Sequence, residues 1–122
     1  MIRHAVLLKW KPGTTEEQIQ YWVDGVLTLP DKIDVVRRYS IGRNVGLSAE
    51  GLAKESSYSD NFDAAVVADF DTYADYQAYG DHPEHLSFIE DRVRPILEQR
   101  VAVQFDLDEN PRFTPTDGLL ER

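Results

Sequence analysis

The residues Tyr79-Gly80-Asp81-His82-Pro83-Glu84-His85 end one helical pattern and begin another. Proline suits the first turn of a helix, where its missing N–H has no partner to lose. Pro83 therefore predicts a helix start with His82 at the cap and His85 in the first turn. Upstream, Asp71-Thr72 reads as the cap of a short helix carrying Tyr73, Tyr76 and Tyr79. Downstream, Leu86, Ile89, Val93 and Leu97 form a helical stripe that Pro95 must end or kink. The segment thus gathers two of the three histidines, a tyrosine and two carboxylates at a helix junction. Imidazole has a proton affinity near neutrality, so such a cluster can move protons or bind metal.

Working outward, residues 2–10 alternate as a strand and stop at Lys11-Pro12-Gly13. Thr14 then caps a helix, with Glu17 completing a capping box. Ile19, Trp22, Val23, Val26 and Leu27 give that helix one apolar stripe, and Leu29-Pro30 closes it. Residues 35–43 read as a second strand. Residues 44–60, rich in Gly, Ser, Asn and Lys, read as a long loop. Phe62 to Phe70 alternates as a third strand, and Val101, Val103, Phe105 and Leu107 mark the last one. Residues 1–107 make one domain and 108–122 a tail. The order β-α-β-β-α-β predicts an α+β, ferredoxin-like protomer with a four-stranded antiparallel sheet covered by helices on one face. His4, Val6, Leu8 and Trp10 occupy one side of the first strand, Ala5 and Leu7 the other. Two partly apolar faces with one helical layer imply a second cover, so a homodimer with facing sheets that enclose a cavity is expected.

The chain has 122 residues, 13 basic against 22 acidic, for a net charge of −9. That field disfavours phosphate backbones and anionic lipid, so neither nucleic acid nor membrane is expected as a partner. The absence of cysteine excludes disulfides and thiolate chemistry and fits a cytoplasmic location. The opening Met1-Ile2-Arg3-His4 lacks the plan of a secretory signal. No Gly-rich phosphate loop is present, and no cofactor is expected. Metal binding by His82 and His85 with Asp81, Glu84 or His4 is disfavoured, because the intervening proline stiffens their geometry.

The opening His4-Ala5-Val6-Leu7-Leu8-Lys9-Trp10-Lys11-Pro12-Gly13, the Gly42-Arg43-Asn44-Val45 turn and the 79–85 segment occur in an order that resembles the stress-responsive A/B barrel (Dabb) domain. The resemblance covers residues 2–107. It implies a ferredoxin-like protomer, a dimeric α/β barrel and a pocket between sheet and helices. It does not imply one activity. Many members have none assigned, and some plant members are stress-induced or antimicrobial. One branch, that of olivetolic acid cyclase, closes a linear polyketide by aldol condensation. Its catalytic tyrosine and histidine match Tyr79 and His85, and a first-strand histidine matches His4. A further pocket histidine of that branch is replaced by Ala64.

In a catalytic reading, His85 is a general base for an activated carbon and Tyr79 donates a hydrogen bond to the carbonyl gaining charge. In a structural reading, the His-Pro-x-His element shapes the turn alone. His4 points with Val6 and Leu8 into the interior, as a third catalytic candidate or a satisfied core residue. His82, Trp10 and Arg43 are candidate ligand contacts, and Arg37 and Arg43 could meet a ligand's carboxylate or phosphate. The expected ligand is a small apolar or aromatic carbonyl compound. The expected function is a cofactor-free cyclase, isomerase or lyase step, or else a non-catalytic stress-responsive dimer. A haem-degrading or quinol-oxidising monooxygenase shares the barrel plan but finds no clear haem-ligand arrangement in the sequence.

Overall fold

The computed structural model describes residues 1–46 and 61–109. Most of the loop expected at 44–60 and of the tail expected at 108–122 lies outside the described residues. The elements run β1 (Ile2–Trp10), α1 (Glu16–Val26), α2 (Leu29–Lys32), β2 (Val36–Arg43), β3 (Ala64–Phe70), α3 (Tyr73–Asp81), α4 (Pro83–Phe88), a π-helical turn (Ile89–Val93) and β4 (Leu97–Asp106). The sheet order is β2-β3-β1-β4, and every neighbouring pair is antiparallel. This is the ferredoxin-like fold expected from the sequence. Among the described residues no helix is long and apolar enough to cross a membrane.

The α1 cap lies one residue later than expected. The Gln18 N–H donates to the Thr15 hydroxyl at 3.2 Å, and the Thr15 N–H donates to Gln18 Oε1 at 2.9 Å. Thr14 is already used: its hydroxyl donates to the Lys11 carbonyl at 2.6 Å, closing the turn in which Gly13 adopts φ +84°. Pro30 also differs from its expected role. It does not close α1, which ends at Val26, but sits in the first turn of α2, where proline is favoured.

The core fills the space between the sheet's inner face and the helices. Trp22, Val26 and Leu29 meet Val6, Leu8, Val66, Ala68 and Phe70 there, and Trp10 packs edge-on to Trp22 at 5.2 Å between ring centroids. Gly25 lets α1 approach the π-helical turn closely, since a Cβ there would run into the Arg92 side chain and Phe88. Arg92 cannot easily yield, because its guanidinium donates to the Tyr21 carbonyl at 2.7 Å and lies over the Tyr21 ring. The π-helical turn is marked by the Arg94 N–H reaching back five residues to the Ile89 carbonyl at 2.8 Å. Such wide turns re-aim the side chains of a helix. Leu86, expected on the buried stripe, is 52% exposed. His85, Phe88, Ile89 and Val93 take the inward positions, and Leu97 belongs to β4 rather than to the helix.

Strand β4 turns its apolar row away from the helices. Val103 pairs with Ala5 and Val101 with Leu7, whereas Gln104 pairs with His4 and Arg100 with Leu8. Because side chains alternate across a strand, Arg100 and Gln104 stand on the same side of the sheet as His4, though both are exposed. The outer face carries Leu7, Val101 and Val103, all exposed. It ends in a bidentate pair between Arg3 and the buried Asp69, at 2.8 and 2.9 Å.

Candidate functional site

A cavity of about 200 Å³ opens between the inner face of the sheet and the helices of a single protomer. Its walls are mainly apolar: Val6 and Leu8 from β1, Val66 from β3, and Phe88, Ile89 and Val93 from α4 and the π-helical turn. Polar side chains interrupt them, among the described residues His4, Tyr39, Tyr76, Tyr79, His85 and Arg100. Few polar groups set in an apolar cleft is the usual make-up of a small-molecule site.

Helix α3 positions the tyrosines. Thr72 caps it by accepting from the Asp75 N–H at 3.1 Å, and Tyr76 and Tyr79 follow one turn apart on the inner face. Both pack on Phe70, with ring centroids at 5.7 and 5.2 Å. Tyr73, on the outer side, is exposed. The Tyr79 hydroxyl lies 3.0 Å from that of Tyr39, which reaches in from β2. Burial pushes the proton affinity of both phenols up, further for Tyr39, and Tyr39's hydrogen bond partly offsets this at Tyr79. Either hydroxyl can donate in this pair, and when Tyr39 donates the Tyr79 proton is free for a ligand.

The junction between α3 and α4 sets the histidines. His82 caps α4, its Nδ1 accepting from the Glu84 N–H at 3.1 Å, so its ring serves the backbone. His85 stands in the first turn with Nδ1 3.0 Å from the Gly80 carbonyl oxygen. A carbonyl oxygen can only accept, so Nδ1 carries the proton and Nε2 is left as the basic nitrogen. Burial lowers the proton affinity of His85 despite the Gly80 bond, and the positive charge of Arg100 adds to the effect. The His85 and Tyr79 ring centroids are 4.5 Å apart. On β1, His4 is buried against Tyr76 at 5.0 Å. Its Nδ1 accepts from the Gln104 side-chain amide at 2.8 Å. Burial, then the charge of Arg100, lowers its pKa to about 4. Both histidines are neutral at pH 7.

Of the residues singled out from sequence, His85, Tyr79 and His4 meet in the cavity. His82, Trp10 and Arg43 do not line it. Arg43 forms a two-bond pair with Glu16 at 2.8 and 3.0 Å, and Arg37 pairs with Asp71 at 2.8 Å. Among the described residues no three His, Asp or Glu side chains are grouped so as to hold a metal ion. Tyr39, Arg100 and Gln104 were missed. The alternation of Arg100 and Gln104 with Val101 and Val103 is legible in the sequence, but it does not say which row borders the helices.

The fold and this cavity define a ferredoxin-like α+β protein with a helix-covered pocket. The model of the stress-responsive A/B barrel domain matches residues 2–107, and the chain belongs to that family. Among solved structures it is similar to a dimeric ferredoxin-like protein of unknown function from Thermobifida fusca, with 36% identity and a TM-score of 0.73, covering 87% of this chain and 90% of that one. It is also similar to the hydroxynitrile lyase of Passiflora edulis, at 22% identity and a TM-score of 0.70 over 91% and 96% of the two chains. A Dabb family protein from Mesorhizobium loti matches at 20% identity with a TM-score of 0.66, over 86% and 94%. At these last two identities the likeness concerns the fold. No curated protein matches the chain.

Proposed function

We propose that this protein abstracts a proton beside a carbonyl group of a small, largely apolar compound held in the cavity, using only its own side chains. The observation that carries this reading is the pairing of His85 and Tyr79 in one apolar cavity, with His85 Nδ1 occupied by Gly80. His85 Nε2 takes the proton from carbon, the C–H electron pair forms a C=C bond to the carbonyl carbon, and the C=O π pair moves onto the oxygen. Tyr79 donates its O–H to that oxygen as charge develops, backed by the hydroxyl of Tyr39. The resulting enolate can attack a second carbonyl, expel a leaving group or be reprotonated elsewhere, which are cyclase, lyase and isomerase outcomes. His4 donates from Nε2 and orients the ligand.

The working unit is a homodimer joined through the outer sheet faces. Supporting this are the exposed Leu7, Val101 and Val103 on that face and the dimeric description of the Thermobifida fusca relative.

A second reading, that the histidines are architectural in a non-catalytic dimer, is favoured by their backbone bonds across the α3–α4 junction. Exchange of the methyl protons of acetophenone for deuterium, followed by NMR, separates the two. Proton abstraction requires faster exchange with the native protein and its loss in His85→Ala, with a large reduction in Tyr79→Phe. If native protein leaves the rate at the buffer value while His85→Ala only lowers thermal stability, the architectural reading holds.

A further inference from the structure

Among the described residues Arg100 is the one charged group that lines the cavity, and the proton transfer leaves it unused. Every other arginine among the described residues has a carboxylate within 4.0 Å: Arg3 and Arg38 share Asp69, Arg37 has Asp71, Arg43 has Glu16, Arg92 has Asp91 and Arg94 has Glu90. Arg100 has no such partner among the described residues, in a chain with 22 acidic residues. Its place in β4 is opposite Leu8, four positions along β1 from His4, or roughly 13 Å of strand at the usual rise. Its side chain nonetheless lines the same cavity as His4 and His85, and its charge lowers the proton affinity of both. Arg100 is itself exposed, so its guanidinium stands where the cavity meets solvent, within reach of an anion entering beside the two imidazoles.

We propose that Arg100 anchors a carboxylate of the ligand, so that the compounds taken are small oxo-acids about one ring in size. The carboxylate sits on Arg100 and the carbonyl on Tyr79, with the acidic C–H presented to His85. The placing of the carbonyl rests on the proton-abstraction reading, whereas the carboxylate contact stands apart from it. Size follows from the cavity's volume of about 200 Å³, since a cavity of about 150 Å³ accommodates benzene. Charge follows from number. A single planar fork matches one carboxylate, and neither histidine adds a second positive charge for a phosphate dianion. A docked carboxylate also offsets the charge that disfavours protonation of His85, so the base strengthens as the ligand arrives.

The test is the binding of 4-acetylbenzoate and of its neutral isostere 4-acetylbenzamide, measured by calorimetry on native protein, Arg100→Gln and Arg100→Lys. The native protein should bind the acid about tenfold or more tighter than the amide, as a charge-assisted pair implies. Arg100→Gln should lose that preference while its affinity for the amide is retained, which also shows that the cavity is intact. Arg100→Lys should keep part of it. Equal affinity for the two compounds, binding of neither, or a preference that survives in Arg100→Gln overturns the proposal. A preference for the acid without any deuterium exchange would leave the anchor standing and remove the proton-abstraction reading instead.

Discussion

The hydroxyl of Tyr39 lies 3.0 Å from that of Tyr79, joining the second strand to the third helix inside the cavity. Each phenol is the other's polar partner in a largely apolar setting. Replacing one strands the other, which costs ~1–3 kcal/mol, whereas replacing both removes the need. Tyr39→Phe and Tyr79→Phe should each lower stability by about 1 kcal/mol or more, and the double variant by less than the sum. Urea unfolding of the four proteins measures this, and strict additivity would mean the two hydroxyls are not coupled.

Acid sensitivity should begin above the carboxylate range. His4 and His85 both have folded-state proton affinities below the ordinary value, His4 reaching a pKa of about 4. The unfolded chain therefore binds more protons than the folded one between those values and the usual ~6.5 of histidine. Stability is full above ~6.5 and falls as the pH drops toward the folded values. Asp69, held below the usual carboxylate range by Arg3, adds a further loss only at lower pH. Urea midpoints between pH 7.5 and 4.5 should decline, and His4→Leu should flatten the decline.

Gly25 sets the distance between α1 and the π-helical turn. A methyl there meets Arg92, which is tied to Tyr21, and Phe88. Gly25→Ala would normally gain helix propensity, but overpacking of this kind costs ~1–3 kcal/mol. A fall in thermal midpoint is expected, with a loosened cavity because Phe88 lines it.

Charge on the outer sheet face should break the dimer and spare the protomer. Val103 is 56% exposed and stands opposite Ala5 in the middle of the apolar row. Val103→Glu should halve the mass measured by light scattering and leave far-UV circular dichroism unchanged. A native protein that is already monomeric would refute the sheet-face dimer.

Much of this was legible in the chain because local chemistry and fold agree. Strand β1 has the bounds its alternation predicts, and Pro83 starts α4 with His82 at its cap. Tyr79, His85 and His4 line one cavity. The shortfalls have local causes. Two adjacent threonines competed for one cap, and the turn at Gly13 took the first. From α4 into the π-helical turn the inward residues are His85, Phe88 and Ile89, an i, i+3, i+4 set one position off the expected stripe, which leaves Leu86 outside. Arg100 and Gln104 are exposed, as a polar row suggests, yet Arg100 lines the cavity and Gln104 bonds His4. In β4 the apolar row faces outward, and only strand pairing reveals that side.

The central claim is that His85 is a neutral base, protonated on Nδ1 and open at Nε2. Nitrogen-15 NMR of the imidazole ring across pH, with and without 4-acetylbenzoate, tests it most directly. The account requires the Nδ1–H form at pH 7, titration below the ordinary histidine value, and a change at Nε2 when the ligand binds. An Nε2–H form that titrates at the ordinary value and ignores the ligand would contradict it.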